Sequence, residues 1–157
     1  MTRSPSAPEP RSSGRTTALA LSVAGLVVLA DQASKWLVRR AVEDLPFDVG
    51  WGFGIHLVWN RGVAFGRLAQ GGEALLVVVA VLAAAIVAVL VLGPPAYRLG
   101  LGILLGGALG NLIDRVRLGA VVDFIDVPWW PTFNFADVAV VVGVVLVVWA
   151  VLRAGHA

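Results

Sequence analysis

The chain has 157 residues, of which 59% are hydrophobic and 14% charged, with a mean hydropathy of +0.87 and a net charge of +2. Soluble domains carry about 25% charged residues, so this composition excludes disorder, a coiled coil and an ordinary soluble enzyme, and points to the membrane. There is no cysteine and there are two histidines, His56 and His156, which excludes a disulfide framework, a thiol nucleophile and a Cys- or His-rich metal site.

Residues 1–15 are polar, contain three prolines and have no apolar period, which predicts a disordered tail. The apolar stretch that follows runs on past a short signal-peptide core without a small-residue cleavage site. A membrane-spanning helix needs about 20 mostly apolar residues. Four stretches meet this: 16–38, 74–93, 99–113 running on toward Arg117, and 133–152. They predict helices at about 16–38, 73–93, 97–117 and 134–152, within a single membrane-embedded domain over 16–157. Valine favours strands in water, but a span in lipid must satisfy its backbone internally, so helix is the expected state. The fold class expected is therefore all-α, with four transmembrane helices.

The second and third spans are joined by a tight Gly-Pro-Pro turn. The longer loop over 39–72 holds FDVGWGFGIHL at 47–57, whose partial alternation predicts a small strand pair at the membrane surface. The loop over 118–134 lies on the same side, with Trp129 and Trp130 as interfacial anchors. Four spans put both termini on one side. The arginines divide almost evenly between the two sides, so the positive-inside rule does not choose an orientation. They are also scattered, against nucleic-acid binding.

Ionisable side chains inside a bilayer are costly and mark function. Here they gather at one face. Asp31 and Lys35 end the first helix, and Lys35 is the only lysine in the chain. Their i,i+4 spacing puts them on one helix face as an ion pair. Asn111, Asp114 and Arg115 end the third helix on one face, where Asp114 and Arg115 read as a helix-terminal ion pair holding the fold. Gly106, Gly107 and Gly110 just below permit close helix approach. Asp123 follows the third helix and Asp137 opens the fourth, so a hairpin could bring the two carboxylates face to face. Such a pair shares a proton and can activate water for attack on a peptide carbonyl. The competing reading is that both are solvated helix-end residues; Asp126 could also stand in for Asp123.

Other hydrolase chemistries are eliminated. No G-x-S-x-G or H-E-x-x-H occurs, and no serine follows Ser34. Ser34 and Lys35 are adjacent and point about 100° apart on a helix, so they make no dyad.

At these residues the sequence resembles the lipoprotein signal peptidase (signal peptidase II) family. The matching blocks are DQASK at 31–35, NRGVAFG at 60–66, GGALGNLIDR at 106–115, VVDFI at 121–125 and FNFAD at 133–137, in the family's order. The resemblance implies an aspartic endopeptidase of the bacterial inner membrane. It would cut the signal peptide of prolipoproteins before a diacylglyceryl-modified cysteine. It further implies catalytic roles for Asp123 and Asp137, and supporting roles for Asn60, Gly62, Asn111, Asp114, Arg115, Asn134, Asp31 and Lys35. It implies no metal or other cofactor, inhibition by globomycin, cytoplasmic termini and an outward-facing site, in a protein expected to be monomeric. Asp126 is not required by the pattern and reads as an interfacial charge. Two other classes remain open from the residues alone: a transporter subunit with a polar vestibule, and a scaffold whose loops bind a partner.

Overall fold

The computed structural model describes residues 10–41, 47–62 and 72–155. Helix α1 spans Pro10–Ala41, α2 Gly72–Leu92, α3 Arg98–Leu118 and α4 Phe135–Ala154, with a 3-10 turn at Pro95–Tyr97 between α2 and α3. All four helices are long and apolar enough to cross a membrane. Helix α1 starts earlier than the sequence predicted and draws residues 10–15 out of the expected tail. Proline is tolerated in a first helical turn, and the apolar segment behind it carries the helix. Residues 1–9 of that expected tail lie outside the described residues.

Helix α3 is the hub. Half of its most apolar window is buried, against 11–17% for the other three, and it packs on α1, α2 and α4. Glycines make this possible. A methyl at Gly102 would run into the backbone of Ala20 on α1, and one at Gly107 would come within 2.5 Å of the Ala136 carbonyl on α4. The remaining surfaces of α1, α2 and α4 present leucine and valine outward, as lipid-facing helices do.

The extramembrane part is larger than the expected strand pair. It is one antiparallel sheet, ordered β1-β2-β3-β4. Strands β1 (Phe47–Gly50) and β2 (Phe53–Asn60) come from the first long loop, and β3 (Val121–Val127) and β4 (Trp130–Phe133) from the second. The stretch read as a loop carrying Trp129 and Trp130 is thus a hairpin. Its signal was hidden because Val121–Phe124 are buried on both faces, which removes the alternation that marks a half-buried strand.

Candidate active site

Where α1, α3 and α4 meet the sheet, the polar residues form one connected cluster. On α1, Lys35 Nζ lies 2.8 Å from Asp31 Oδ2, 2.8 Å from Asp114 Oδ2 and 3.1 Å from Asn111 Oδ1. The three protons of one ammonium therefore meet three acceptors. All four side chains are buried. Each carboxylate in turn holds a backbone amide of the next element. Asp31 Oδ1 accepts from Ala136 N at 3.0 Å, fixing the first turn of α4. Asp114 Oδ2 accepts from Val122 N at 3.1 Å, fixing β3. Gln32 Nε2 donates to Asp114 Oδ1 at 2.9 Å. A methyl at Gly110 would come within 2.6 Å of the Asp31 carboxylate, so this glycine makes the room.

That frame positions Asp123 on β3 and Asp137 on α4. Asn134 joins them. It is the N-cap of α4 and forms a capping box with Asp137: its Oδ1 accepts from Asp137 N at 3.0 Å, and its own N donates to Asp137 Oδ2 at 3.1 Å. Its Nδ2 donates to Asp123 Oδ1 at 2.7 Å and to Asn111 Oδ1 at 3.0 Å. Asn111 Nδ2 completes the ring, donating to Asp137 Oδ1 at 2.8 Å. On the opposite side, Asn60 Nδ2 donates to Asp123 Oδ2 at 2.9 Å, while Asn60 Oδ1 accepts from Gly62 N at 2.9 Å. Gly62 needs its φ of +78° to present that amide. The strand register puts Val58 opposite Asp123, which carries Asn60 at the strand end to the same place.

Asp123 is 2% exposed. Burial pushes its carboxyl above the ordinary value; the amides of Asn60 and Asn134 oppose this, the negative charge of Asp137 adds to it, and the charge of Lys35 works against it. Each Asp123 oxygen accepts one amide and keeps a further lone-pair direction for a proton or a water.

The structure gathers Asp31, Lys35, Asn60, Gly62, Asn111, Asp114, Asp123, Asn134 and Asp137 around this point and leaves others aside. Asp114 pairs with Lys35 and not with Arg115, because adjacent helix residues diverge by about 100°; the expected Asp114–Arg115 ion pair is corrected. Arg115 donates to the Asn111 carbonyl at 3.3 Å and lines a cleft of about 280 Å³ with Asn60, Leu75 and Ala120. Asp126 does not substitute for Asp123. Its Oδ2 lies 2.7 Å from His56 Nδ1, and His56 Nε2 lies 3.2 Å from Asp48 Oδ1, so this triad ties three strands together. His56 had no motif to give it away; only the register, with Gly54 opposite both Asp48 and Asp126, brings the three together. Arg98, at the start of α3, is buried and donates to the Leu90 carbonyl and to Thr16. The part of the NRGVAFG block at 63–66 lies outside the described residues. Among the described residues no group of three or more His, Asp or Glu side chains is arranged to hold a metal ion.

Residues 23–153 match the family model of signal peptidase (SPase) II. The chain belongs to the signal peptidase II family. Curated relatives agree. A lipoprotein signal peptidase of Moorella thermoacetica is 44% identical over 138 residues, 84% of this chain and 91% of the relative. Others from Pelotomaculum thermopropionicum and Serratia marcescens are each 40% identical, over 83% and 82% of this chain and 90% and 81% of the relatives. Two solved bacterial membrane enzyme structures superpose with TM-scores of 0.76 and 0.79 at 30% identity. They cover 87% of this chain and 88% and 94% of theirs. Membership in the signal peptidase II family makes this a peptidase, and its four apolar helices make it a multi-pass membrane protein.

Proposed function

We propose that the protein is an aspartic endopeptidase of the bacterial cytoplasmic membrane. It removes the signal peptide from diacylglyceryl-modified prolipoproteins, cutting before the lipidated cysteine, with Asp123 and Asp137 as the catalytic pair. The observation that carries this reading is Asn134, a single residue whose side chain and backbone bond both carboxylates, at 2.7 and 3.1 Å. The names of the curated relatives supply the substrate class. In this reading both termini are cytoplasmic and the sheet and cleft face outward.

The dyad shares one proton at rest, since two close carboxylates do not both ionise freely. Burial of Asp123 favours it as the proton holder. Asp137 takes a proton from water as the water oxygen attacks the scissile carbonyl carbon, and Asp123 gives its proton to the carbonyl oxygen. The carbon–nitrogen bond then breaks: the leaving nitrogen takes the proton that Asp137 gained, and a hydroxyl of the tetrahedral intermediate returns a proton to Asp123 as the carbonyl re-forms, which restores the singly protonated pair. Asn60, Asn111 and Asn134 hold the two carboxylates in place, and Lys35 with Asp31 and Asp114 holds the elements that carry them.

The test is a gel-mobility cleavage assay with a diacylglyceryl-modified prolipoprotein in liposomes. Wild type is expected to cut in the presence of EDTA and to be blocked by globomycin. Asp123→Asn and Asp137→Asn are each expected to fold and to be inactive. Near-normal cleavage by either variant removes that residue from the dyad.

A further inference from the structure

The sheet ends in two hairpin tips, and each carries a tryptophan where folding offers no reason for one. Trp51 has φ +61° and Trp129 φ +55°. A bulky residue in the left-handed region is an outlier, since glycine and asparagine sit there more readily. Yet both rings project almost bare, at 95% and 96% exposed. The tips lie side by side: Pro128 packs over Gly52 so closely that a methyl there would come within 3.0 Å of its ring. No ionisable residue occurs at 50–55 or 127–136. The nearest charges, Asp48 and Asp126, are turned onto His56.

The position of the tips relative to the helices identifies what they meet. Trp130, Phe133, Val138, Val141 and Val142 line a mostly apolar cavity of about 420 Å³ that also reaches Asp137. The β3–β4 hairpin therefore lies against the first two turns of α4, about 10 Å of a spanning helix, and does not stand off into water. Arg40 stacks on Trp36 at 4.2 Å, and Arg39 on Trp59 at 5.2 Å, where α1 ends on the same side. Tryptophan rings gather at the polar–apolar boundary of a membrane, and arginines near a helix end reach it by extending their side chains.

We infer that Trp51 and Trp129 form a paired wedge that inserts into the lipid interface of the leaflet on the site side and pins the free end of the sheet there. The occupant is the bilayer itself. The substrate is a poor fit for this surface, because the tips lie beyond the Gly54–Asp126 pair, at the far end of β3 from Asp123. With the β3–β4 end held by lipid and the Asp123 end held by Asp114, the carboxylates stay at a fixed depth.

The full-length protein is reconstituted in phosphatidylcholine–phosphatidylglycerol vesicles, with and without lipid brominated near the top of the acyl chain. The emission of Trp51→Phe/Trp129→Phe is subtracted from that of wild type, leaving the signal of the two tips. Brominated lipid is expected to reduce that signal roughly twofold, as for an interfacial ring, with little effect of aqueous iodide. Quenching by iodide and not by brominated lipid places the tips in water and overturns the proposal. Quenching by neither means the tips are covered by protein, such as a second copy of the chain, and also overturns it. If the Phe pair does not fold, fluorophores on Trp51→Cys and Trp129→Cys give the same readout, because the chain has no other cysteine.

Discussion

Replacing Lys35 by methionine keeps an unbranched side chain, shorter by the terminal nitrogen, and removes the charge. The ammonium is 3% exposed, Asp31 is 0% and Asp114 2%, and its bonds to the two carboxylates are both 2.8 Å. Each hydrogen bond between charged partners contributes about 1.5–3 kcal/mol. Removing one partner of a buried ion pair costs about 3–5 kcal/mol, because the other charge is left uncompensated. Here two carboxylates are orphaned, so Lys35→Met is expected at the upper end, about 4–5 kcal/mol. The measurement is equilibrium unfolding in mixed micelles on a double-mutant cycle with Asp114→Asn. Once the ammonium is gone, neutralising Asp114 removes an orphaned charge. The double variant should therefore be less destabilised than the two singles summed, by about 2–3 kcal/mol. A coupling below about 0.5 kcal/mol would refute the picture of Lys35 as a charge clamp. Cleavage should fall with stability, because the same carboxylates hold Ala136 and Val122.

Asn134→Ala removes the side-chain cap on Asp137 N and the amide bond to Asp123, and leaves the backbone bond to the Asp137 carboxylate: expect about 1 kcal/mol less stability and kcat lower by roughly 100-fold, with KM moving less; unchanged kcat counts against Asn134 as the positioning residue. Gly102→Ala drives a methyl into the Ala20 backbone and should cost about 1–3 kcal/mol in thermal unfolding, while Gly25→Ala, with nothing within 4 Å, should be neutral or stabilising. The carboxyl of Asp123 titrates higher in the folded protein than in the unfolded chain. The native state thus binds the extra proton between those two values, and stability from this group falls as pH rises through the folded value. The Tm of Asp123→Asn relative to wild type should accordingly climb from about pH 4 upward and then level; a difference that is flat or falling refutes it.

Much of the fold was legible because membrane spans are written in composition. A run such as the charge-free stretch 74–92 has one backbone solution in lipid, and α2 and α3 appear within a residue or so of their expected bounds. The pairing of Asp31 with Lys35 was legible because i,i+4 geometry is local. The pairing of Asp114 was not. Its neighbour Arg115 was the nearer cation in sequence, but Lys35 on another helix is the nearer in space. Strands β3 and β4 were missed for a related reason: burial on both faces erases the period-2 signal. The His56 triad depends on strand register alone.

The sequence by itself determined that the chain lives in a membrane, that four helices cross it, and that its ionisable residues crowd toward one face. It also singled out Asp123 and Asp137. Only the tertiary structure decided how those two are held. Asn134 joins them because α4 starts where β4 ends, Asn60 reaches Asp123 because β2 pairs with β3, and Lys35 serves two helices because α3 packs closely on α1. Local spacing fixes contacts within one turn or one strand; contacts across 60–105 residues of chain depend on which faces pack together, and glycine-lined helix contacts and strand register settle that.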